Sequence, residues 1–356
     1  MTQIDYINFF NYIYLFFIML FLILITIVPV LLAVAFFTVL ERKVLAGIQR
    51  RRGPNVVGFW GILQAIADGV KLVLKEIIFP SKSNIFFFIF APSWVLITSF
   101  TGWAFIPFFY NNFYSDFEFG ILYILAISSL GVYGIILAGW GSNSRYAFLG
   151  GLRSVAQLIS YEVSLGLVIL PIILASNSLN LIEIVLIQEK TIWFFLPFLP
   201  LVFIFFITIL AETNRTPFDL PEAEAELVAG FNVEYSSTLF ALFFLGEYSS
   251  ILLMSSFMVI LFFGGWLSPI PYYFSHHSFW LILKTILICI LFIFVRGCLP
   301  RYRYDQLMNI GWKIFLPFSL SFFYFISAFF LFFDAFPYNQ NTLLTYYLSI
   351  IPLNFI

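Results

Sequence analysis

Charge is what this 356-residue chain has least of: Asp, Glu, Lys and Arg together make up 10% of it. So few charged side chains cannot clothe a soluble domain of this length. With 62% hydrophobic residues and a mean hydropathy of +1.02, the chain reads as an all-α polytopic membrane protein, a single membrane domain over 1–356. Cysteine is nearly absent too. Cys289 and Cys298 form no CxxC pair and no ligand set for zinc or iron–sulfur; both fall in or beside one apolar run, where a cysteine is a small buried hydrophobe. His276 and His277 have no third ligand near them, so the expectation is no metal site. Neither a GxGxxG after a strand nor a Walker A sequence occurs, so no redox cofactor or nucleotide of the chain's own is expected. The net charge of −1 argues against a nucleic-acid partner. The opening MTQIDYINFFNYIYLFF lacks a basic region, is too long in its apolar run for a signal peptide, and is not an Arg- and Ser-rich transit peptide. Insertion where the protein is made is the expectation.

What is abundant is phenylalanine, 50 residues, with much Ile, Tyr and Asn, a composition that suits an organellar gene and also fits an AT-rich bacterium. A membrane-crossing helix needs about 20 mostly apolar residues. Eight stretches qualify: 12–40, 85–109, 119–141, 154–176, 192–211, 238–263, 278–296 and 312–334. No internal repeat is evident, which weighs against many secondary transporters. Fifteen of the 17 Lys and Arg residues fall on one side of this arrangement; only Lys190 and Lys284 fall on or near the other. The rich side is then the inner one, and both termini lie outside. Residues 59–79 have apolar positions on one helical face, with Gln64, Asp68, Lys71 and Lys75 on the other. That pattern predicts a helix in the interface, either a lipid-surface anchor or a roof that presents Asp68 and Lys71 to a cavity.

Carboxylates concentrate in one place. Residues 211–237, AETNRTPFDLPEAEAELVAGFNVEYSS, hold Glu212, Asp219, Glu222, Glu224, Glu226 and Glu234, with Arg215 as the only base. Asp219-Leu220-Pro221-Glu222 resembles a helix start, which accounts for two of the acids. Glu222 and Glu226 then stand at i and i+4, where like charges repel and favour shared protons. Glu162, near Gln157, Ser160 and Tyr161, and Glu247, beside Tyr248, lie inside apolar runs. An unpaired carboxylate in lipid costs at least several kcal/mol, so each faces the protein interior or water, either as a relay group or as a protonated acid bonded to a neighbouring helix. Lys284 lies near a span end and is expected to snorkel. Leu40-Glu41-Arg42-Lys43, Arg50–Arg52, Arg296, Arg301 and Arg303 read as positive-inside anchors. The Arg-Tyr-Arg-Tyr-Asp run at 301–305 also suits a protein interface.

LERKVLAGIQRRRGPNVVG, GLRSVAQLISYEVSLG, the acidic stretch above, ALFFLGEYSSILLM and RGCLPRYRYDQLMNIGWK together closely resemble subunit 1 of the proton-pumping NADH:ubiquinone oxidoreductase, respiratory complex I. The resemblance runs from about residue 30 to 318, with every motif in order. It implies eight spans, an outside N-terminus and a mitochondrial inner-membrane location, with a bacterial plasma membrane as the other option. It implies a ubiquinone entry tunnel and chamber lined or braced by Arg42, Asp68, Arg215 and Arg296, with apolar contact from Phe218 and Phe231. A proton relay through Glu162, Glu212, Asp219, Glu222, Glu224, Glu226, Glu234 and Glu247 is also implied. NADH, FMN and Fe-S clusters would belong to partner subunits, a hydrophilic quinone module on the inner side and antiporter-like subunits beside it. Two other classes stay open on the residues alone: a standalone proton or cation transporter, and a membrane scaffold such as that of a related membrane-bound hydrogenase.

Overall fold

In lipid a backbone must satisfy its own N–H and C=O groups, and long apolar runs do so as helices. The computed structural model describes residues 3–109, 116–219, 230–269 and 275–333, and all regular structure among them is helical. The order is α1 (Gln3–Ile48), α2 (Gln64–Leu74), α3 (Ile85–Thr101), α4 (Gly120–Gly141), α5 (Arg145–Ser176), α6 (Leu181–Lys190), α7 (Leu199–Glu212), α8 (Ser237–Phe262), α9 (Ser278–Cys298), α10 (Tyr304–Asn309) and α11 (Leu316–Phe332). Short 3₁₀ turns and a π-helical stretch at Ile310–Phe315 link some of them.

Among the described residues seven helices, with α10 to α11 counted as one, are long and apolar enough to cross a membrane. The expected span at 192–211 differs: residues 194–198 form turns, and α7 has only 14 residues, about 21 Å. Pro197 and Pro200 explain it. A residue before proline is pushed out of the α region, whereas Pro200 itself is tolerated in the first turn of α7. The interfacial helix is likewise shorter than 59–79. It begins with a 3₁₀ turn, Phe59–Gly61, and ends at Leu74, where Lys75 turns extended. Beyond it the extended segment is tied down: Ser237 Oγ donates to Lys75 O (2.6 Å) and Ile78 N donates to Ser236 Oγ (3.2 Å).

The central helix is α8, with 72% of its apolar window buried, against 50% for α5 and less for the others. Small residues let its neighbours close in. A Cβ on Gly246 of α8 would stand 2.9 Å from Val95 of α3, and one on Gly134 of α4 would stand 2.4 Å from the same side chain. The chain reverses after α5 through Asn177, left-handed at φ 48°, and restarts with Asn180, whose Oδ1 accepts from Ile182 N (2.9 Å).

α6, unanticipated from sequence, packs on the C-terminal end of α8. Gln188 Nε2 donates to Ile260 O (3.0 Å) and Leu261 O (3.2 Å). Lys284 joins it. Instead of snorkelling, its ammonium is buried and donates to the carbonyls of Phe263 (2.7 Å), Gly265 (3.2 Å) and Leu267 (2.6 Å), with Trp193's ring 4.3 Å away. A helix C-terminus leaves carbonyls unpaired and carries a partial negative charge, and a cation answers both.

Candidate functional site

The ionisable groups gather at the opposite end of α8, in two adjoining places. The first is a cavity of about 110 Å³ between α3, α4, α5, α7 and α8. Glu212, at the end of α7, and Glu247, on α8, both line it, with Thr98, Ser128, Thr213 and Ser250. These four hydroxyls donate to backbone carbonyls of their own helices, so the cavity is offered oxygen lone pairs. It therefore favours hydrogen-bond donors, water or protonated carboxyls, and its size admits several waters. Oε2 of Glu212 is buried with no partner among the described residues, as a water-bonded acid would be. Glu162 does not line the cavity but adjoins it. Ser128 Oγ lies 3.5 Å from Glu162 Oε1, and Glu162 is within electrostatic reach of Glu212.

The second place centres on a residue that sequence reading assigned only to a basic anchor, Glu41. Its carboxylate, 7% exposed, accepts from Arg296 Nη1, from Tyr248 Oη and, at 3.4 Å, from Arg215 Nη1. The Arg215 guanidinium lies over the Tyr248 ring, 4.4 Å from its centroid. Burial disfavours its charge, but Tyr248, Glu41 and Glu247 around it hold its pKa above the ordinary value. Two guanidiniums against one carboxylate leave this cluster with an excess positive charge beside the acidic cavity. Chain geometry joins the two places. Asn214 takes a left-handed conformation (φ 49°) that asparagine tolerates and lines the cavity, while Arg215, next in sequence, meets Glu41. Glu247 and Tyr248 divide in the same way on α8.

The other expected site residues spread outward. Asp219 is buried and paired with Arg301 (3.0 Å). Phe218 is packed between the rings of Tyr161 (5.8 Å) and Tyr302 (5.5 Å), and its carbonyl accepts from Gln157 Nε2 (2.8 Å). Phe231 is buried against Phe243. Neither phenylalanine lines the cavity. Arg42 pairs with Asp68 of α2 at 2.7 Å on the open surface, and Gln64 donates to the same carboxylate. Asp68 thus faces the cluster end, while much of the apolar face of α2 stays exposed. Glu234 is half-buried before α8. Glu222, Glu224 and Glu226 lie outside the described residues. No group of three or more metal-ligating side chains occurs among the described residues.

Fold and site together define a polytopic helical membrane protein with ionisable groups enclosed between its helices. The NADH dehydrogenase family profile matches residues 21–327. The chain is 57% identical over 314 residues to the NADH-ubiquinone oxidoreductase chain 1 of Cyanidium caldarium, covering 87% of this chain and 91% of that one. It is 54% identical over 314 residues to an NADH-quinone oxidoreductase subunit of Rhodospirillum rubrum, covering 87% and 93%. To the wheat (Triticum aestivum) chain 1 it is 57% identical over 298 residues, covering 83% and 91%. The chain belongs to this family, subunit 1 of the NADH:quinone oxidoreductase, a membrane component of the complex I enzyme.

Proposed function

We propose that this subunit forms the membrane wall of the ubiquinone tunnel and links quinone reduction to proton movement through its enclosed carboxylates. The observation that carries the reading is the cavity shared by Glu212 and Glu247, next to the Arg-rich cluster at Glu41. Acids that line one cavity with room for several waters can exchange protons, and a neighbouring charge cluster can bias which of them is protonated. Glu162 extends the relay at one side. Asp219, Glu222, Glu224, Glu226 and Glu234 extend it into the loop after α7. Arg42, Asp68, Arg215 and Arg296 brace the quinone chamber, and Phe218 and Phe231 stiffen its wall. The chain contributes no electron carrier in this reading. Electrons reach the quinone from Fe-S clusters, FMN and NADH in the hydrophilic partner subunits, and antiporter-like subunits receive the relay laterally. The Cyanidium and wheat relatives support a mitochondrial inner membrane, with both termini in the intermembrane space and the Glu41 cluster on the matrix side.

The test uses the assembled complex in sealed membrane vesicles. Glu212→Gln and Glu247→Gln are each expected to cut quinone reduction and proton translocation at least about tenfold while assembly persists. Full turnover and pumping in both variants overturns the relay. Ion transport by the purified protein alone would favour the standalone transporter instead.

A further inference from the structure

Resting on that reading, we propose that Tyr248 is a positioning residue: it holds the Arg215 guanidinium between Glu41 and the cavity acids, so that one cation is shared by the two clusters. Arg215 meets the carboxylate of Glu41. Its contact to Glu41 is long, 3.4 Å, and Nη2 is buried without a partner among the described residues. What lies squarely against it is the face of Tyr248, 4.4 Å from Cζ. A desolvated guanidinium over an aromatic face is held by the ring's negative quadrupole, which leaves an N–H donor for Glu41.

The ring is itself immobilised. Tyr248 is 4% exposed, Phe37 of α1 packs its edge at 5.6 Å, and Phe244 lies one turn away on α8 at 4.5 Å. Its hydroxyl donates to Glu41, which orients the ring relative to the α1 end. Tyr248 also follows Glu247 directly, so the platform for the cation and the cavity acid move as one rigid piece of α8. Arg215 and Glu247 are within electrostatic reach of each other. A change of charge at Glu41 is thereby passed to the cavity through a cation whose seat is fixed by an aromatic ring.

The experiment compares Tyr248→Phe with Tyr248→Leu in the complete complex, measuring kcat and KM for quinone, protons translocated per electron, and assembly. Phe keeps the cation's platform and loses the hydroxyl, while Glu41 keeps both arginines, so a loss of about threefold in kcat is expected. Leu removes the platform, and kcat and coupling are expected to fall about tenfold or more with KM within about twofold. Should Leu fail to assemble, Tyr248→Met supplies a ringless side chain of similar volume. Equal losses in Phe and ringless variants would assign the effect to the hydroxyl and overturn the proposal, as would native behaviour in the ringless variant. Glu247→Gln in the same assay separates the two levels: if it is also native-like, the relay reading falls; if it is impaired while the ringless variant is not, only the role of Tyr248 falls.

Discussion

Replacing Glu41 with alanine removes the one acceptor shared by Arg215, Arg296 and Tyr248. About 10 Å³ of free space already lies beside this carboxylate, and the shorter side chain widens it. Two guanidiniums then face each other without the carboxylate between them. Deleting one partner of a buried ion pair costs about 3–5 kcal/mol. Arg296 is 35% exposed and can turn outward, so the lower figure applies. Asp68→Ala is the comparison, since it breaks a pair whose side chains are 50% and 35% exposed and which is worth at most about 1 kcal/mol. The Glu41 cluster ties α1, α8, α9 and the loop after α7 together, so it is lost on the way to inactivation. At about 1.4 kcal/mol per tenfold in rate, the Glu41→Ala complex should lose its starting quinone reductase activity about a hundredfold faster at a fixed elevated temperature. Asp68→Ala should do so within about fivefold of native. Equal half-lives for the two variants, or native durability of Glu41→Ala, would refute the cluster's structural weight.

Lys284→Met leaves the carbonyls of Phe263, Gly265 and Leu267 without their donor, at about 1–3 kcal/mol for each group that finds no substitute. The assembled complex on native gels should fall severalfold, and native levels would count against the cap. Gly246→Ala drives a methyl to within 2.9 Å of Val95 and should destabilise by about 1–3 kcal/mol. Val95→Ala in the same chain should restore most of the assembly lost, and no restoration would mean the clash lies elsewhere.

How much of this was legible depended on the distance over which each residue acts. A run such as 238–263 declares its helix by itself, and α8 at Ser237–Phe262 follows it closely. α6 did not declare itself because Glu183, Gln188, Glu189 and Lys190 make it too polar and short for a span, and its purpose is to serve α8. The acids Glu162, Glu212 and Glu247 stood out because nothing apolar explains them. Glu41 did not, although three side chains bond its carboxylate, because Arg42 and Lys43 beside it suggested a basic anchor. Its true partners are 174 and 255 residues away in the chain. Lys284 was misread for a related reason: its partners are backbone carbonyls, which no side-chain pattern records.

α8 has two stretches of opposite electrical character. Around its middle, Glu247, Tyr248, Ser249 and Ser250 put polar atoms on several sides of the helix. Towards its end, Phe257, Met258, Val259, Ile260, Leu261 and Phe262 are all at most 3% exposed and have apolar side chains; Gln188 bonds the carbonyls of Ile260 and Leu261, and Lys284 those just beyond the helix. The side chains of this segment offer a proton no polar atom to rest on. Beyond Tyr248, α8 itself carries no ionisable side chain to which the cavity could hand a proton. In the proposed relay, the next group therefore has to come from a neighbouring helix, as Glu162 of α5 does through Ser128.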